Sequence, residues 1–167
     1  MAVKQTLFTV ALGAACWRYM RQRNWLDKEG KAMDELLLRS HELRDDPAVH
    51  YNCAQGVFIP FAERRGLTKE QAFDIAQNFG GGMRAGMTCG AITGGLMALG
   101  LYGVGEPKDA VSFIQKISSL HGGRSQCRDL LAAEVTSKEQ KKPHCDGMVY
   151  EAVEAVEEML RERGIEI

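Results

Sequence analysis

The sequence predicts an all-α domain. No stretch shows sustained alternation of apolar and polar residues, runs of β-branched residues are absent, and apolar positions recur every three or four residues between recognisable helix caps. The last segment shows the pattern most fully: Met148, Val149, Val153, Val156 and Leu160 share one spacing, with glutamates elsewhere. Six to eight helices are expected in a single bundle, with the segment 80–100 packed centrally.

In chain order the pattern predicts helices at about 4–22, 26–44, 52–65, 68–79, 89–102, 107–121, 126–134 and 146–163. Asp45-Asp46-Pro47 stops the second, because proline disfavours helical backbone at the residue before it. Gly66-Leu67-Thr68 is a break followed by an N-cap, and Glu70 supplies an acidic first turn. Glu106 or Asp109 with Pro107 opens the next helix, where the missing proline N–H does no harm. Pro143-His144-Cys145-Asp146 is expected to open the last, after a solvated loop from Thr136 to Lys142. A boundary near residues 45–50 is expected to divide an N-terminal helical extension, 1–45, from a cysteine-bearing body, 46–167.

A chain of 167 residues can bury a sizeable core without staples. A net charge of −1 excludes a broad electrostatic footprint for nucleic acid. Five cysteines, an odd number, do not read as a secreted disulfide framework, and together with eight methionines they fit a reducing cytosol. No Cys-x-x-Cys pair is present, which excludes a local thioredoxin-type switch and covalent c-type haem attachment. Residues 4–22 combine a mostly apolar run with Arg18 and Arg21. The run is too short to span a bilayer. An amphipathic helix with Leu7, Val10, Ala14, Trp17 and Met20 near one face is the preferred reading, packed or facing a membrane or partner; export is the alternative. Cys16, inside that run, reads as a small buried hydrophobe.

The other four cysteines, Cys53, Cys89, Cys127 and Cys145, each stand at or beside a predicted helix start. Unpaired N–H groups and the positive end of the helix dipole favour thiolate over thiol there. Ahead of Cys89 runs Gly80-Gly81-Gly82-Met83-Arg84-Ala85-Gly86, a loop able to aim successive N–H groups at an anion. It is not a Walker A loop, since no Gly-Lys-Ser/Thr follows and no strand precedes it. Thr88 is the expected cap, with Cys89 in the first turn. Gly90, Gly94 and Ala98 then form a small-residue stripe, read first as a helix–helix contact and second as room for a cofactor.

The segment Cys89-Gly90-Ala91-Ile92-Thr93-Gly94, with one cysteine before it and two after, resembles the bacterial and archaeal C_GCAxxG_C_C family of redox-active proteins. The words Tyr51-Asn52-Cys53-Ala54-Gln55, Phe79-Gly80-Gly81-Gly82-Met83 and Thr93-Gly94-Gly95-Leu96-Met97-Ala98-Leu99-Gly100 are similar to it too, and the likeness covers about residues 50 to 160. The resemblance implies an all-helical redox protein and maps Cys53, Cys89, Cys127 and Cys145 onto the family's four cysteines. A related domain in split-Soret cytochromes is associated with an iron–sulfur centre.

Three chemistries fit four such thiols: an iron–sulfur cluster, ligated by thiolates and stabilised by N–H groups; zinc; and direct thiol–disulfide exchange without a metal. The first is the leading expectation, with Gly80, Gly81, Gly82, Arg84, Gly90 and Gly94 as supporting residues. The redox partner is not named by the sequence. A homodimer with the cluster near its interface, and a zinc-bound adaptor docking on a membrane transporter through residues 4–22, are further arrangements it leaves open. Arg84 and Arg124 lie in glycine-flanked loops and could balance a cluster's charge; solvated loop arginines are the default reading. His144 adjoins Cys145, His121 is expected to close a helix, and His50 sits before Cys53. No serine–histidine–carboxylate set, HExxH helix or dinucleotide fingerprint is visible.

Overall fold

A computed structural model describes residues 34–167. The helix expected at 4–22, the first part of the one at 26–44, and Cys16 lie outside the described residues. The chain divides into the units Met1–Asp34 and Glu35–Ile167, and the described helices all belong to the second.

That unit is all-α, with seven α-helices and no strand among the described residues. They are α1 (Glu35–Arg44), α2 (Cys53–Arg64), α3 (Lys69–Ala76), α4 (Gly90–Leu101), α5 (Pro107–Leu120), α6 (Cys127–Glu134) and α7 (Lys141–Glu162). None of the described helices is long and apolar enough to cross a membrane.

Helix α2 is the central post, buried from Ala54 to Ala62 and packed by α1, α3, α4 and α7. Its start is fixed by a reciprocal cap: Asn52 Oδ1 accepts the Gln55 N–H at 3.0 Å while Gln55 Oε1 accepts the Asn52 N–H at 2.8 Å. Pro60, inside this helix, removes the N–H that would reach the Gly56 carbonyl. The buried Ser40 hydroxyl donates to that carbonyl instead, at 2.9 Å, so the proline leaves no buried acceptor unpaired.

Helix α4 lies against α2 through its glycines. A Cβ at Gly94 would stand 2.6 Å from the Ala54 carbonyl oxygen, and one at Gly95 would stand 2.3 Å from the Phe113 ring. The stripe is therefore a helix–helix contact, and close approach offsets the roughly 0.5–1 kcal/mol that each interior glycine costs.

Two expected starts shift. Helix α7 begins at Lys141 rather than 146, because Pro143 falls in the first turn, where N–H groups have no partner within the helix. Residues Lys138–Gln140, expected as loop, form a short 3₁₀ turn leading into it. Thr88 does not cap α4. It pairs with Gln126 in an isolated antiparallel bridge, and Cys89 itself takes the N-cap position. Glu106 caps α5 with Pro107 next, as expected.

Candidate functional site

Four segments bring the four cysteines together. Cys53 is the first residue of α2, Cys89 the N-cap of α4, and Cys127 the first residue of α6. Cys145 is the exception to the helix-start expectation: with α7 beginning at Lys141, it stands in the second turn. All four are free thiols; Cys89 is buried and the others are half-buried.

Backbone contacts join the segments that carry Cys89 and Cys127. Cys89 N–H donates to Ser125 O at 2.8 Å and Cys127 N–H to Met87 O at 2.7 Å, which stitches the approach to α4 against the approach to α6. A Cβ on Gly90 would lie 3.2 Å from Cys53 Cβ, and one on Gly82 2.9 Å from Cys127 Cβ. The glycines after Cys89 and in the loop thus make room for neighbouring cysteines. Gly81 and Gly82 also turn through left-handed backbone, at φ 61 and 62.

The sulfurs interact electrostatically across the set. Interaction with the Cys145 thiol lowers the Cys53 pKa to about 7 against the opposing effect of burial. The buried Arg44 guanidinium helps hold it down, and Asp146 opposes. Cys145 is pushed strongly up, first by its interaction with Cys53, then by burial, then by charge on Cys53, Cys89 and Cys127. Burial pushes Cys89 up to about 12, with the Ala91 and Ile92 N–H groups pulling the other way and charge on Cys53 and Cys127 adding to the rise. Cys127 is raised by burial and by Cys53, and Lys141 offsets part of this. Cys53 is thus shifted towards the thiolate, and Cys89, Cys127 and Cys145 towards the thiol.

Arg44 is the residue the sequence did not mark. It is 8% exposed at the end of α1. Its Nε donates to Asp146 Oδ1 at 2.7 Å, its Nη2 lies 2.6 Å from the same oxygen, and its Nη1 donates to Tyr51 O, two residues before Cys53. Lys142 holds the other Asp146 oxygen at 2.6 Å. Gly56 lets the arginine stem pass, since a Cβ there would meet Arg44 Cδ at 2.9 Å. Locally, a basic residue in the last turn of a helix is ordinary, and its partner is 102 positions away.

The remaining expected residues lie around this set or apart from it. Gly80 packs on the Asn52 side chain. Arg84 is exposed and, with His50, lines a cleft that no cysteine lines. Arg124 donates to His121 O at 3.0 Å. His121 closes α5 as expected and bridges two helices, with Nδ1 3.0 Å from Glu134 of α6 and Nε2 2.7 Å from Glu151 of α7. His144 Nδ1 faces Glu134 at 3.3 Å.

Residues 51–159 match the family described as "Putative redox-active protein (C_GCAxxG_C_C)". The chain belongs to that family. No curated protein and no solved structure matches it. All four converging cysteines fall inside the matched span, whereas Arg44 falls just before it.

Cysteine thiols are donors that zinc and iron–sulfur clusters both take. The donor set is thiolate-forming, three members stand at helix starts, and a buried arginine lies beside it. Yet among the described residues no three His, Cys, Asp or Glu side chains converge tightly enough to hold one metal ion. A single zinc needs its donors within about 2.3 Å of one point.

Proposed function

We propose that this redox-family protein carries electrons through an iron–sulfur cluster held by Cys53, Cys89, Cys127 and Cys145. The observation that supports it is the electrostatic neighbourhood of these thiols: Cys145 feels charge on all three of the others. Burial and mutual interaction raise three of the thiols, and a bound metal would deprotonate a coordinating thiol outright. When bound, the cluster supplies one-electron chemistry. The chain's own residues do the rest: the Ala91 and Ile92 N–H groups face the Cys89 sulfur, Gly82 and Gly90 let the segments close, and Arg44 lends positive charge. Anaerobic purification or reconstitution, followed by iron, zinc and sulfide analysis and a visible spectrum, tests the reading. Iron with acid-labile sulfide and broad charge-transfer absorption are expected; neither metal nor sulfide after reconstitution ends it.

The effect that Cys145 and Cys53 have on each other's ionisation favours a second reading, dithiol exchange. The Cys53 thiolate attacks a low-molecular-weight disulfide such as oxidised glutathione, forming a mixed disulfide and expelling one thiolate. Cys145 gives up its proton and attacks the Cys53 sulfur, expelling the second thiol. The protein dithiol is oxidised and the small disulfide reduced. Cys145→Ser should then trap the mixed disulfide and Cys53→Ser should abolish it, each seen by intact mass. An unmodified Cys145→Ser protein contradicts this reading.

A further inference from the structure

A cleft of about 310 Å³ opens between the start of α2, the end of α3 and the glycine loop. Its volume is at the lower end of small-molecule sites. Its lining includes His50, Asn52 and Gln55 at the start of α2, Phe73 of α3, and Gly80 and Arg84 of the glycine loop.

Much of the polar wall is already engaged. Asn52 and Gln55 cap each other, Gln55 Nε2 donates to Phe73 O at 3.0 Å, and Asn52 Nδ2 donates to Gln77 O at 3.1 Å. The groups left to meet a ligand include the exposed His50 ring and the Arg84 guanidinium, whose contact with Gln77 O is long at 3.4 Å. Both can donate, and one is a permanent cation.

Two further observations bear on what enters. Met83 and Arg84 both hold left-handed backbone, at φ 53 and 57, where neither is glycine. Such backbone costs roughly 1–2 kcal/mol per residue, and here it sets Arg84 on the rim of the cleft. Exposed apolar residues also adjoin the lining in sequence: Val49 beside His50, Ile75 between Phe73 and Gln77, and Met83 beside Arg84. An arginine and an aromatic ring lining one cleft complement an amphiphilic anion.

We propose that this cleft binds a small amphiphilic oxyanion, its carboxylate or phosphate head on Arg84 and its apolar body against Phe73. The test is an NMR titration of the full-length reduced, ¹⁵N-labelled protein with acetate, hexanoate, inorganic phosphate and phenyl phosphate. Saturable shifts are expected at the Arg84 Nε–H and the amides of residues 80–84. Each apolar probe should bind at least ~10-fold tighter than its bare head group, from partial burial of its carbons. The tighter of hexanoate and phenyl phosphate identifies the head group. Arg84→Gln should weaken both at least ~10-fold, the scale of a charge-assisted contact, and Phe73→Ala should close the gap between apolar and bare probes, both with unchanged circular dichroism. Absence of saturable shifts, or equal binding by Arg84→Gln, overturns the proposal. The readout needs no metal, so its failure leaves the sulfur site standing and the reverse also holds.

Discussion

Helices α2 and α4 meet through glycine and a continuous buried face, whereas α6 is held mainly by polar contacts. Along α2, nine residues from Ala54 to Ala62 are buried, and Gly90 and Gly94 bring α4 onto its backbone. In α6 only Leu130 is buried. The rest of its hold is the Cys127 amide on Met87, Arg128 Nε on Gly86 O at 3.2 Å, and Glu134 against His121 and His144. Three sulfurs thus stand on the buried framework of α2, α4 and α7, and the fourth on a lightly buried helix. Elements with few buried apolar contacts open at lower free energy than the core. Amides of α6 should accordingly exchange faster than those of α2 and α4 in native-state hydrogen exchange; equal protection would erase the distinction.

The largest effect is expected on the framework side, at Arg44. Arg44→Met strands the Asp146 carboxylate in a buried site, and loss of one partner from such a pair costs about 3–5 kcal/mol. Lys142 remains on Asp146, so the lower end of that range is expected in urea denaturation. The same change withdraws positive charge from Cys53. In the metal-free reduced protein, the alkylation midpoint of Cys53 should rise above about 7. An unmoved midpoint would confine Arg44 to a structural role. Next comes Gly94→Ala, whose Cβ meets the backbone of α2. Overpacking there should cost about 1–3 kcal/mol. A silent substitution would mean that α2 and α4 separate easily.

The smallest effect belongs to the polar side. Burial acts to lower the His121 pKa, but hydrogen bonds to Glu151 and Glu134 outweigh it, and the net shift is upward from 6.5. A raised histidine contributes its full stabilisation below the unfolded value and loses it as pH rises through the folded one. His121→Gln should therefore cost roughly 1 kcal/mol near pH 6, the scale of a partly exposed ion pair. The gap from the parent protein should close as pH climbs well beyond 6.5. A gap independent of pH would assign the bridge to packing rather than charge.

Local signals carried most of the element order. Thr68 and Pro107 marked helix starts, and the spacing of Met148 to Leu160 marked the buried face of α7. The four cysteines were legible as a set through motif resemblance, since nothing in their spacing says that they meet. Contacts between distant positions were not legible. The Arg44–Asp146 pair joins α1 to α7, and neither local sequence differs from an ordinary exposed helix end. The early start of α7 was hidden because Pro143 reads as a boundary but is tolerated within a first turn. Backbone conformation at Met83 and Arg84 was equally hidden, since both residue types ordinarily avoid the left-handed region.

The most direct measurement is iron and acid-labile sulfide per chain after anaerobic reconstitution, in the parent protein and in each single serine variant of Cys53, Cys89, Cys127 and Cys145. A shared site predicts that the parent loads and that every variant, including Cys127→Ser on the lightly held helix, loses most of its iron and sulfide. Parent-like loading in any one variant would show that its sulfur does not belong to the centre, and no loading in the parent would contradict the cluster altogether.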